Sequence, residues 1–246
     1  MEEDRLDNGI LIYWKEGIEE NLRKAVIDGA NTFVDVLRNC TAIGMPEDEV
    51  VIRGVNSTLE TFVHFLPKTR GLIDAGAICR KLEFMVGNSS FGIYLTDEPI
   101  ANGTSYVVGL SFGYGITVST YHFRDLSNSE RLESLKLCVM HELGHVHGMA
   151  KLYGRVKSEN NCGNHCKDLY CLMQQPFGDF STLIRKHYRN WFCDLCLEDA
   201  RRVNIDKRKS SKSRKMVAVS NLSPKKASNS SASAKKRYIT KNNADI

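Results

Sequence analysis

Residues 127–149 read SNSERLESLKLCVMHELGHVHGM, and their reading decides how the chain is built. Ser127 followed three residues later by Glu130 is a capping box, in which the two side chains satisfy free amide donors at a helix start. Leu132, Leu135, Val139 and Leu143 then recur at helical spacing and form one apolar stripe. Gly148 is a natural stop, because glycine takes the left-handed conformation that ends helices without steric cost. The spacing predicts a helix over about 128–149. Near its end stands His141-Glu142-Leu143-Gly144-His145. Residues i and i+4 share a helix face one turn apart, so two imidazoles so placed can reach one metal ion. Glu142 lies beside the first of them, where it can take a proton from a water on that ion. So short a pattern also arises by chance in ordinary helices. Its seat on an amphipathic helix, after β-rich segments, favours the metal reading.

Towards the N-terminus, helix-like and strand-like segments alternate, with no internal repeat. Gly9 to Trp14 predicts a strand. Glu19 to Leu37 predicts a helix whose inner side carries Ala25, Val26, Ala30, Phe33, Val34 and Leu37. Val50 to Arg53 is a second strand candidate. Gly71 to Phe84 has helical spacing, with Ile73, Ala77, Ile78 and Leu82 inward. Phe91 to Thr96 is a β-rich run closed by the turn signal Asp97-Glu98-Pro99. Tyr106 to Phe112 and Ile116 to Phe123 are two further β-rich runs, separated by Gly113-Tyr114-Gly115. Such alternation predicts an α/β layer structure.

Towards the C-terminus the question is the third ligand, since a catalytic zinc takes three protein ligands and keeps a fourth position open. His147 follows His145 by two residues and points nearly opposite on a helix, so it is expected in solvent or behind the ligands. Metzincin peptidases follow the pattern HExxHxxGxxH. Here Gly148 matches, but the last position is Lys151, whose ammonium is a poor ligand. Beyond it come His165-Cys166, then Cys171-Leu172-Met173, then Cys193-Asp194-Leu195-Cys196. With His141, Glu142, His145 and Gly148, these residues follow the order of the archaemetzincin motif: HExxHxxGxxHC, x4-C-x-M and a distal CxxC. The chain resembles that family over 141–196. It departs by an apparent insertion of 14 residues, Lys151 to Asn164, taken to loop out and return His165 to the zinc.

The resemblance implies a compact metzincin-like α/β fold. A small twisted mixed sheet would pack on helices, with an active-site helix and a zinc-stapled C-terminal lobe over about 162–200. It implies two zinc ions per chain, a catalytic one on His141, His145 and His165 and a structural one on Cys166, Cys171, Cys193 and Cys196. Glu142 would be the general base of a metallopeptidase acting on a peptide or protein substrate. Gly148 would turn the chain, and Met173 would lie under the catalytic zinc. In such folds the strand matching Ile116 to Phe123 is an exposed antiparallel edge, to which an extended peptide can add. Lys151 leaves two rivals open. One is a non-catalytic zinc scaffold that binds a partner. The other is an enzyme whose third ligand is an acid such as Glu159 or Glu198.

The cysteines argue for a metal independently of the family. Two close pairs, Cys166/Cys171 and Cys193/Cys196, form a four-thiolate set of the kind that holds structural zinc. Cys162 is a spare thiol that could replace Cys166. Cys40, Cys79 and Cys138 stand in apolar contexts and read as small core hydrophobes. His64, His122 and His187 have no motif context.

The whole chain of 246 residues is 42% hydrophobic and 26% charged. That composition excludes collagen-like, fully disordered and polytopic membrane classes. Met1-Glu2-Glu3-Asp4-Arg5 lacks the basic start and apolar core of a secretory signal. The expectation is a soluble intracellular monomer, cytoplasmic or nuclear, with no membrane partner and with reduced thiols. The net charge of +5 describes no part of it. Residues 205–246 hold twelve Lys/Arg against two acids, or +10, while residues 1–204 hold 22 against 27, or −5. A metallopeptidase domain over 1–204 and a basic disordered tail over 205–246 are expected. The tail's clusters around Lys207–Lys215, Lys225-Lys226 and Lys235-Lys236-Arg237 suit an import receptor or another anionic partner.

Overall fold

The run ILIYW forms the first strand, β1 (Ile10–Trp14), and it is apolar at every position because both of its faces are covered. The computed structural model describes residues 9–40, 50–52, 57–66, 68, 71–87, 90–150, 156–157, 164–174 and 191–203. After β1 come α1 (Glu20–Asn39), β2 (Val50–Ile52), α2 (Ser57–Phe65), β3 (Ile73–Asp74), α3 (Ala75–Val86) and β4 (Phe91–Thr96). Then follow β5 (Ile100–Asn102), β6 (Ser105–Val107), β7 (Gly109–Phe112), β8 (Gly115–Ser119), a 3-10 turn (Tyr121–Phe123) and α4 (Asn128–Val146). Two short strands, β9 (Val156–Lys157) and β10 (Asn164–His165), precede a helix over 194–203, α5.

The main sheet has the order β2-β1-β4-β8-β7. Its first four strands are parallel neighbours and β7 runs antiparallel to β8. The two-residue period of a strand divides its side chains between two cores. Ile10, Ile12, Ile93, Leu95, Ile116 and Val118 join residues of α1, α4 and the C-terminal lobe. Leu11, Tyr13 and Tyr94 join Leu59, Val63, Ile78 and Leu82 from α2 and α3. The result is a three-layer α/β arrangement with a mixed sheet in the middle. A smaller sheet, β3-β5-β6, and the pair β9-β10 complete it. Among the described residues no helix is long and apolar enough to cross a membrane.

All six residues expected on the inner side of α1 are buried. α4 starts at Asn128 with both arms of the capping box in place, and it ends at Val146 rather than 149. Gly148 (φ 81°) then turns the chain, its amide donating to His145 O at 3.0 Å. Three expectations need correction. Gly71 to Phe84 is not one helix: Ile73 and Asp74 pair with β5, and the Asp74 carboxylate caps α3 by accepting from Ala77 N at 3.0 Å. Tyr106 to Phe112 is not one strand, because the chain leaves the small sheet after Val107 and enters the main sheet at Gly109. Ile116 to Phe123 ends as a strand at Ser119, and β8 is not the edge. It is held between β4 and β7, so the antiparallel edge is β7. The basic segment 205–246, Lys151, Glu159, Cys162 and His187 lie outside the described residues.

Candidate metal centre

The end of α4 brings His141 and His145 together one turn apart, with their Nε2 atoms at 3.0 Å. His165 arrives at the end of the inserted segment, where β10 pairs antiparallel with β9 (His165 opposite Val156). Its ring stacks on His141 at 5.3 Å between centroids and meets His145 edge-on at 4.9 Å. One nitrogen from each ring lies within 4.8 Å of the other two. On a tetrahedral zinc with bonds of about 2.0–2.1 Å these nitrogens would stand about 3.3–3.4 Å apart, so the cluster is close to ligating geometry. Burial holds the His141 imidazole below its ordinary pKa. It holds His145 well below, with the neighbouring His141 and His165 adding to the effect. Neutral imidazole is the form that binds metals.

His141 is oriented by its other nitrogen, Nδ1, which donates to Leu172 O at 2.7 Å and leaves the Nε2 lone pair facing the cluster. Glu142 is buried between α4 and the edge strand β7. Burial pushes its carboxyl up to about 7, with a hydrogen bond from Ser111 pulling the other way. A Cβ at Gly109 would stand 2.8 Å from Glu142 Oε1, so the strand approaches the carboxylate closely because position 109 has no side chain. Met173 is fully buried, and its sulfur occupies the space where a Cβ on Gly144 would be. Behind Gly148 stands Val203 of α5 in the same relation.

His147 corrects an expectation. It is 4% exposed, with Nδ1 at 2.9 Å from Leu143 O and its ring against Phe33 and Phe91 at 5.0 and 4.9 Å. The side of α4 opposite the ligands faces α1 and the sheet, so pointing away from His145 means pointing into the core. Glu198 is engaged by Arg201 (2.6 and 2.7 Å) and Arg202 (2.8 Å), which hold its carboxyl down to about 2.

Cys166 and Cys171 lie on the turns after β10, and Cys193 and Cys196 at the start of α5. Their four sulfurs lie within 4.8 Å of one another, with Cys166–Cys193 at 3.6 Å and Cys171–Cys196 at 3.7 Å. Four thiolates on a tetrahedral zinc at about 2.3 Å would be about 3.8 Å apart. None of the described cysteines is in a disulfide. Hydrogen bonding inside the cluster splits them. The bond from Cys171 lowers Cys166, and the bond from Cys166 lowers Cys193. Cys171 and Cys196 are raised, each chiefly by its bond to Cys166. Cys79 and Cys138 sit in the core, where burial pushes Cys79 up to about 12 and Cys138 well above its ordinary value; Cys40 is half-buried. His64 and His122 are exposed. Sequence reasoning missed Gly109, Ser111 and the Leu172 carbonyl. A glycine within a β-rich run was a usable signal for the first, whereas a backbone carbonyl leaves none.

No protein-family model and no curated protein matches the chain. Solved structures do. The chain is similar to an archaemetzincin from Methanopyrus kandleri, with TM-score 0.54 and 22% identity, over 81% of this chain and 96% of that one. It is also similar to a zinc-dependent peptidase from Methanocorpusculum labreanum, with TM-score 0.55 and 17% identity, over 78% of this chain and 100% of that one. The likeness establishes a shared fold.

Proposed function

We propose that this chain is a zinc-dependent peptidase of the archaemetzincin family, with one zinc on the histidine cluster and a second on the cysteine cluster. The observation that carries the reading is the convergence of His141, His145 and His165 beside the buried carboxyl of Glu142. The donor sets fit these roles: three neutral imidazoles leave a position open, and four thiolates close a site. His141, His145 and His165 would hold the zinc, which when bound would supply Lewis acidity to the scissile carbonyl and a more acidic water. Glu142 takes the proton of the attacking water and returns it to the leaving amine. Ser111 and Gly109 hold that carboxylate in place from the edge strand. β7, which pairs only with β8 among the described residues, offers the backbone groups of its outer edge to an extended peptide substrate. The basic clusters of 205–246 serve a separate anionic partner or an import receptor in the cytoplasm or nucleus.

Glu142→Gln is expected to keep two zinc per chain and to lower peptidase activity on an unfolded protein substrate by about 10²–10⁴-fold. His165→Ala is expected to lower the zinc count from two to one. A Glu142→Gln protein with both metals and undiminished activity would overturn the mechanism.

A further inference from the structure

Both clusters depend on one short segment. Residues 165–174 run through turns, with no regular element beyond the end of β10. His165 belongs to the histidine cluster and its neighbour Cys166 to the cysteine cluster. Cys171 is the segment's second thiol. The next residue, Leu172, gives the carbonyl that orients His141, and the one after, Met173, packs on Gly144 between the two helical histidines. Every link to the histidines therefore lies within two residues of a clustered cysteine. The segment is closed by Cys166 N donating to Met173 O at 2.8 Å. It is joined to the start of the α5 region by Leu172 N donating to Trp191 O at 2.8 Å and by Cys193 N donating to Cys171 Sγ at 3.4 Å.

We propose that metal occupancy of the cysteine cluster sets the metal affinity of the histidine cluster, so that the thiolate site loads first and assembles the other. The proposal rests on reading both clusters as zinc sites. A metal shared by Cys166, Cys171, Cys193 and Cys196 ties the segment to α5, and α5 is packed on the end of α4 through Val203 over Gly148. Fixing the backbone of a turn costs conformational entropy at every residue. Once the first metal has fixed this segment, the second finds His165 and the Leu172 carbonyl already in place and meets less of that cost. Such coupling is reciprocal, so the histidine metal strengthens binding at the thiolates by the same factor.

Zinc and cobalt(II) titrations of the full-length apoprotein test this. Cobalt on thiolates gives strong charge-transfer absorption that cobalt on imidazoles lacks, so the two sites are read separately. The double variant Cys193→Ser, Cys196→Ser empties the thiolate site while leaving 165–174 unaltered. Its histidine site is expected to bind zinc at least about tenfold more weakly, within the usual range of coupling. A Kd within about twofold of the unaltered protein's overturns the proposal. If the double variant does not fold, His145→Ala gives the reciprocal reading. Removing the histidine metal should weaken cobalt binding at the thiolates by the same factor, and an unchanged thiolate affinity overturns the coupling. An unaltered protein that binds metal on its thiolates alone refutes the histidine zinc site and the coupling with it. Two metals bound with independent affinities refute the coupling only.

Discussion

Gly109 decides how close the edge strand comes to the carboxylate of Glu142, the proposed general base. A Cβ there would stand 2.8 Å from Glu142 Oε1, 2.9 Å from Glu142 Cγ and 2.9 Å from Cys138 Sγ. Cys138 and Glu142 are both buried, so a side chain at 109 forces either the carboxylate or the strand to shift, and both change how the two meet. A displacement of about 1 Å at a catalytic group can cost about 100-fold in rate. Gly109→Ala is therefore expected to keep both zinc ions and to lower kcat/KM on a peptide substrate by about that factor. Full activity in the Gly109→Ala protein would mean that the base has room to spare. The same contacts explain what was legible at this scale. His141, Glu142 and His145 announce themselves because one helical turn fixes their spacing, and the two cysteine pairs because each lies close in sequence. Ser111 carries no such signature, since it meets Glu142 only after a hairpin and a helix have packed.

Elements are tied together partly by charge. Lys15, just past β1, reaches Asp97 at 2.7 Å and Glu98 at 3.1 Å in the turn after β4, and Lys68 also bonds Glu98. Burial alone would raise the Glu98 carboxyl, but the bonds from Lys68 and Lys15 outweigh it and hold it below the ordinary 4.5. Burial likewise opposes the Lys15 ammonium, and the two carboxylates outweigh it. A depressed carboxyl contributes stability above its ordinary pKa and loses it as pH falls through the folded-state value. Lys15→Met keeps the apolar stem and removes the charge. It is expected to cost about 0.5–1 kcal/mol at pH 7, the range of partly exposed pairs. Urea denaturation should show that difference shrinking as the pH falls below 4.5 through the folded-state value of Glu98; a cost that persists in strong acid would point to lost packing instead. Elements also differ in how well they can be read. α1 and α4 are long and amphipathic, and α4 has a complete cap, so period and capping locate both. β3 is two residues joined directly to α3, and its apolar Ile73 fits either period. β5 is three residues. The break at Val108 follows from tertiary pairing, because one apolar run serves two sheets.

Across the whole molecule, charge and chemistry are separated along the chain. The −5 of residues 1–204 belongs to the part that carries both clusters, and the +10 of 205–246 lies beyond α5. Val203 covers Gly148, so the last described residue of α5 still belongs to the support of the metal-bearing helix. A protein ending at Lys207 keeps that support and loses eleven Lys/Arg and one acid, which takes the net charge from +5 to −5. It is expected to keep two zinc per chain, its peptidase activity and a Tm within about 2 °C of the full chain, a shift of less than about 1 kcal/mol at this size. Binding to an anionic polymer such as heparin should be lost, and in the full chain it should weaken steeply as salt shortens the screening length to about 8 Å near 0.15 M. Retained heparin binding would place the anion-binding surface on the acidic body. A fall in zinc content would place residues beyond Lys207 among the supports of the metal centre.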